Sequence, residues 1–129
     1  MTIESKKYQI SDALSERRDR PSVGLIVLNT DFTFERDFVR MYTEQKPDYD
    51  FYFNRIYFAN PMTPESLAAI GDDLTEAAAL ILPNYDLDLV VFNCTSSSPI
   101  VGDEAIELAI QESKPTAKVL STSQAVVAN

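Results

Sequence analysis

The feature that most constrains this chain is the alternation of short apolar runs with segments of helical period. Val23-Gly24-Leu25-Ile26-Val27-Leu28 is a continuous apolar run that follows Pro21, the pattern of a strand buried on both faces of a parallel sheet. Phe51 to Phe58 is aromatic and β-branched enough for a second strand. Leu87-Asp88-Leu89-Val90-Val91-Phe92 predicts a third, and Ala117 to Leu120 a short fourth. Three helical patterns lie between them. Phe34, Phe38, Met41 and Tyr42 share one face of a helix over about 34–45, closed by Pro47. Thr63-Pro64-Glu65 is a helix start, with Thr as cap and Pro at the first helical position. Leu67, Ile70, Leu74, Ala77 or Ala78, and Ile81 then recur at three- and four-residue spacing until Pro83 and Asn84. A third helix is predicted over about 102–113, with Ile106, Leu108, Ala109 and Ile110 among its apolar positions. Strands alternating with helices imply βαβ units, and right-handed crossovers leave few topologies. The expected fold is therefore α/β: a flavodoxin-like three-layer αβα arrangement around a four-stranded parallel sheet in the order 2-1-3-4.

Composition narrows the functional classes. The 129 residues fit one domain, and 45% hydrophobic content supports a packed core rather than disorder. Residues 1–20 are polar and lack the apolar stretch of a secretory signal; they read as a flexible arm ahead of a domain over 21–129. Arg17, Arg18 and Arg20 alternate with Glu16 and Asp19, a solvated mixed-charge cluster. A net charge of −9, from 11 basic and 20 acidic residues, argues against nucleic acid as a partner. No apolar run approaches the ~20 residues of a membrane span. A single cysteine cannot form an internal disulfide, which points to a reducing cytoplasm. With no histidine, most zinc sites and Ser-His-Asp machinery drop out. Chemistry must then use the thiol, carboxylates, hydroxyls and backbone amides, and no cofactor is expected. Neither a G-x-G-x-x-G nor a G-x-x-x-x-G-K-[ST] motif occurs. The arginine that cysteine phosphatases need six residues after the cysteine is Ile100 here. Asp72-Asp73 lies mid-helix and reads as solvent-facing rather than metal-binding.

In open α/β sheets ligands bind beyond the carboxyl ends of the strands, where the strand order reverses. In a 2-1-3-4 sheet that crevice lies between strands 1 and 3. Two polar loops fall there: Asn29-Thr30-Asp31-Phe32-Thr33 and Cys94-Thr95-Ser96-Ser97-Ser98. Ser121-Thr122-Ser123, after strand 4, is expected beside the second loop. Cys94 stands at a strand end a few residues ahead of a helix, where N–H groups and partial positive charge favour a thiolate. Those N–H groups, with the Thr95 and Ser96 hydroxyls, can hold a carboxylate or an enolate oxyanion. Each residue also has a plainer reading. Cys94 can be a small buried core residue. The Thr-Ser-Ser-Ser run can be a capping loop. Asp31 and Thr33 can cap the first helix instead of lining the crevice, and Glu35 suits the first helical turn through the dipole alone. Tyr52, Tyr57 and Tyr85 read as core or rim residues. Ser121 to Asn129 reads as a cap and the first turn of a fourth helix, marginal unless packed, so the chain is expected to be a piece of a longer protein.

Several stretches, in this order, resemble one family. They are Val23 to Leu28, Thr33-Phe34-Glu35-Arg36-Asp37-Phe38, Thr63-Pro64-Glu65-Ser66-Leu67, Val90-Val91-Phe92-Asn93-Cys94-Thr95-Ser96-Ser97-Ser98 and Ser121-Thr122-Ser123. Together they resemble the maleate isomerase and arylmalonate decarboxylase branch of the Asp/Glu racemase superfamily, nearest to its ectoine-utilisation EutA-type members. The resemblance runs from about residue 22 to the end, and the Cys-Thr-Ser loop is its most specific piece. It implies one half of a pseudo-twofold fold, the second half missing, with the active site between the halves. Racemases and maleate isomerases use one cysteine from each half; the decarboxylases have Gly in place of the first.

By this resemblance Cys94 is the first-half catalytic cysteine, and Thr95 and Ser96 match oxyanion- and carboxylate-binding positions. Ser97, Asp31, Thr33, Ser121 and Thr122, from the loops that fall at the same crevice, complete the candidate substrate-binding set. Asp31 falls where maleate isomerases carry an Asn that contacts a substrate carboxylate. A carboxylate there repels a dicarboxylate and suits a cationic or amino group. The implied function is a cofactor-independent isomerase or racemase acting on a small carboxylate or amino-acid derivative in ectoine breakdown. The chain alone is expected to be inactive, and an exposed apolar face is expected to drive homo-oligomer formation. A decarboxylase-like lyase, and a non-catalytic α/β module that holds a small anion, are the alternatives.

Overall fold

The computed structural model describes residues 20–128, so the arm expected over 1–20 lies, Arg20 apart, outside the described residues. In chain order the elements are β1 (Ser22–Leu28), α1 (Phe34–Gln45), β2 (Asp50–Ile56), α2 (Pro64–Leu80), β3 (Leu89–Asn93), α3 (Ser98–Val101), α4 (Asp103–Ser113), β4 (Lys118–Ser121) and α5 (Thr122–Val127). The four strands form one all-parallel sheet in the order β2-β1-β3-β4. The α/β class and the strand order match the expectation from the sequence.

Register decides which residues meet which helices. Leu25 of β1 pairs with Phe53 and Val91, and Ile26 pairs with Asn54 and Phe92. Because side chains alternate along a strand, Phe51, Phe53, Leu25 and Val91 share one face, and Ile26, Val90 and Phe92 the other. On the second face Ile26, Val90 and Phe92 join Ile70, Leu74 and Ala78 of α2 and Ile106 and Ile110 of α4 in one core. α2 and α4 are also tied directly, by Thr75 Oγ1 donating to the Ala109 carbonyl at 2.7 Å. Gly24 lies beneath this layer; a Cβ there would sit 2.9 Å from Leu87 Cδ1 and 3.2 Å from Ile81 Cδ1. The first face is covered differently. α1 has no buried residue, and it meets β2 through rings: Phe38 lies edge-on to Phe51 and Phe53, with centroids 5.0 and 5.6 Å apart.

Four boundaries differ from the sequence reading. β2 ends at Ile56 rather than Phe58, because the Phe58 N–H turns to Asn29 Oδ1 at 3.0 Å. α2 ends at Leu80, ahead of Pro83; Leu82 and Asn84 take left-handed conformations, and the buried Lys114 ammonium donates to the Leu82 and Tyr85 carbonyls at 3.0 and 2.6 Å. Burial pushes the Lys114 pKa down. β3 starts at Leu89, not Leu87, because Asp88 spends its carboxylate on the Ser22 N–H at 2.7 Å. The helix predicted over 102–113 is preceded by a separate turn, α3, since Gly102 breaks the path at φ 89, a conformation that suits glycine. Among the described residues no helix is long and apolar enough to cross a membrane.

Candidate functional site

β1 and β3 are hydrogen-bonded neighbours, with Val27 opposite Asn93. Parallel neighbours lie about 4.8 Å apart, so the loops leaving their carboxyl ends start side by side. These are the two loops singled out in the sequence.

The loop after β3 converges on one sulfur. Cys94 is the residue after the strand, free and 4% exposed. Ser97 N–H donates to its Sγ at 3.4 Å. The Ser97 hydroxyl donates to the same sulfur in a very short contact, and Ser96 Oγ lies 3.6 Å from it. Ser97 is the N-cap position of α3 yet makes no side-chain capping bond; its hydroxyl is turned to the thiol instead. Ser98 holds the backbone of the same residue, its N–H and Oγ reaching the Cys94 carbonyl at 3.1 and 2.6 Å. Cys94 Sγ therefore accepts two hydrogen bonds from Ser97, with the Ser96 hydroxyl beside it. Thr95 and Ser96 are exposed residues of the same loop.

The β4–α5 corner comes to this loop, as the sequence placed it. Thr122 Oγ1 lies 3.3 Å from Ser98 Oγ. Ser121 caps α5 in a capping box with Gln124, and both Ser121 and Ser123 donate to Asp103 Oδ1. These two hydroxyls, Ser121 first, hold the Asp103 carboxyl below the usual range. Ser121 is therefore buried in a cap and in this pairing, whereas Thr122 is the member of the corner that touches the Cys94 loop.

The loop after β1 is built the other way. Asp31 Oδ1 accepts the Phe34 and Thr33 N–H groups, each at 2.9 Å, and the Thr33 hydroxyl at 3.3 Å. Those bonds, the Phe34 N–H foremost, lower its pKa. Through Oδ1, Asp31 makes the capping bonds of the first of its two readings. Thr33, the N-cap position of α1, makes no side-chain capping bond and only supports Asp31. Arg55, which the sequence reading missed, fastens the loop: it donates to the Leu28 and Asp31 carbonyls at 2.8 and 2.6 Å and pairs with Glu35 at 3.0 Å. Nothing local in the sequence marks that role, since Arg55 reads as an ordinary strand residue.

Other candidates stay apart. Tyr52 is half-buried against the core. Tyr57 is exposed and lines a surface cavity of about 230 Å³ with Asn54, Arg55, Asp73, Glu76 and Leu80, which does not include Cys94. Tyr85 lends its carbonyl to Lys114. Asp72 is exposed and Asp73 half-buried on α2. Compared with protein-family models, with curated proteins and with solved structures, the chain matches none.

Proposed function

We propose that this chain is one α/β half of a cofactor-independent isomerase or racemase acting on a small carboxylate or amino-acid derivative, with Cys94 as nucleophile or acid/base. The observation that carries the reading is the convergence of Ser97 N–H, Ser97 Oγ and Ser96 Oγ on a single sulfur at the tip of β3. The resemblance of the Cys-Thr-Ser loop to the maleate isomerase branch supports it, and ectoine breakdown in the cytoplasm is the setting that resemblance suggests. A thiolate can add to an activated alkene or remove a proton α to a carboxylate. The exposed Thr95 and Ser96 hydroxyls would then meet the developing negative charge. Asp31, held as a carboxylate by its N–H donors, favours a substrate bearing an amino group over a dicarboxylate. The second cysteine, the other half of the pocket and the oligomer are assigned to a partner half of the same pseudo-twofold fold.

The test is covalent capture. The chain is incubated with small α,β-unsaturated carboxylates, with and without an amino group, and adducts are read by mass spectrometry. A mass gain on Cys94 is expected, faster for the amino-bearing acids than for maleate, with no turnover by this chain alone. No adduct under any condition would remove the reading. A second reading, an inert anion-holding module, draws on the 4% exposure of Cys94 and its packing in the apolar core cluster with Phe92 and Ile106; absence of capture favours it. The decarboxylase alternative is separated by Cys94→Gly in the complete two-half protein, which a decarboxylase tolerates and a two-cysteine enzyme does not.

A further inference from the structure

Asp103 opens α4, an element that supplies none of the donors to the sulfur. Its Oδ1 nevertheless accepts both Ser121 Oγ and Ser123 Oγ, and those residues flank Thr122. A serine has one hydroxyl proton. With both protons on the carboxylate, the 2.8 Å approach of the two serine oxygens reflects convergence on one acceptor. Ser98 is constrained by the same count. Its proton goes to the Cys94 carbonyl at 2.6 Å, so in the 3.3 Å contact Thr122 is the donor. A continuous set of contacts therefore runs from α4 through the β4–α5 corner to the Cys94 turn. Beyond the pairing of Ser121 with Phe92 and the Ser121–Gln124 capping box, α5 is short: it has six residues, none of them buried, and Val126 and Val127 are 73% and 86% exposed.

We infer that Asp103 is a positioning residue for Cys94: its carboxylate fixes the β4–α5 corner, Thr122 braces Ser98, and Ser98 holds the turn that aims Ser97 at the sulfur. The meaning of that brace for catalysis rests on the reading of Cys94 as a reactive thiol; the brace itself does not. A carboxylate with a merely structural role lowers the melting temperature when removed and leaves the sulfur's reactivity alone.

The experiment measures the rate of iodoacetamide alkylation of Cys94 in the 129-residue chain, at neutral pH and well below the melting temperature. Wild type, Asp103→Ala, Asp103→Asn and Ser123→Ala are compared with wild type unfolded in urea. Asp103→Ala is expected to move the rate about fivefold toward the unfolded value, whichever side the native rate lies on, as for loss of the one neutral Thr122–Ser98 hydrogen bond that the brace holds in place. Asp103→Asn, which keeps an oxygen acceptor, stays close to wild type. Ser123→Ala leaves the Ser121–Gln124 capping box in place and shifts the rate less in the same direction; it serves if Asp103→Ala does not fold. A wild-type rate in Asp103→Ala, or in Ser123→Ala where it must stand in, overturns the inference even if the melting temperature falls. A native wild-type rate no higher than the unfolded one counts against the reactive thiol instead, while the brace is still read from the variants.

Discussion

The two loops beyond β1 and β3 start from neighbouring strands and are both polar, Asp31 with two threonines in one and a run of hydroxyls in the other, but they spend these groups differently. After β1, Asp31 gives one carboxylate oxygen to two backbone N–H groups of the first turn of α1, and Arg55 closes the loop from the next strand. Those bonds hold the backbone. After β3, Ser97 leaves its capping duty and points, N–H and hydroxyl together, at the sulfur of Cys94. Polar content alone does not distinguish a capping loop from a candidate site. The distinction lies in whether the donors end on the backbone or on a side chain with chemistry of its own.

The largest effect that would sharpen this contrast is expected from Ser98→Ala. Ser98 is fully buried, and its loss leaves the Cys94 carbonyl one donor short and the Thr122 hydroxyl without its acceptor. Urea unfolding should show a loss of about 1–3 kcal/mol, together with a changed alkylation rate at Cys94. Asp31→Ala comes next, at about 1 kcal/mol for a lost cap, with the alkylation rate of Cys94 unchanged. A change in both would mean that the loops are one unit.

Acid titration separates the cap from the charge. Asp31 has a folded pKa below its unfolded value, so its stabilisation is fully present above the unfolded carboxyl pKa of about 3.9 and is lost as pH falls through the folded pKa. Asparagine also caps helices. Asp31→Asn should therefore keep most of the neutral-pH stability and show a shallower acid loss in urea midpoints. The smallest effect is expected from Glu35→Gln, which removes only the partly exposed pair with Arg55, at about 0.5 kcal/mol or less. A loss well above that would make the ion pair, rather than the Asp31 cap, the main fastening of the β1 loop.

What was legible in the sequence was local or periodic. The apolar run of β1 marks a strand buried on both faces, and Thr63-Pro64 and Ser121 are caps whose partners lie three residues away. The position of Cys94 at a strand end follows likewise from the apolar run of β3. What was not legible depends on side chains that reach across the fold. Arg55 meets Leu28 and Asp31 from more than twenty residues away, Lys114 reaches Leu82 and Tyr85, and Asp103 gathers Ser121 and Ser123. Gly102 was visible as a glycine, but its positive φ, and hence the break between α3 and α4, depends on the path the chain takes after the Cys94 turn.

The most direct measurement of the central claim compares the iodoacetamide alkylation rate of Cys94 in the native chain at neutral pH with the rate in the same chain unfolded by urea. Donors gathered on the sulfur predict faster alkylation in the native chain despite its burial. Slower native alkylation, in keeping with the 4% exposure of Cys94, would contradict the account and leave the residue a small member of the core.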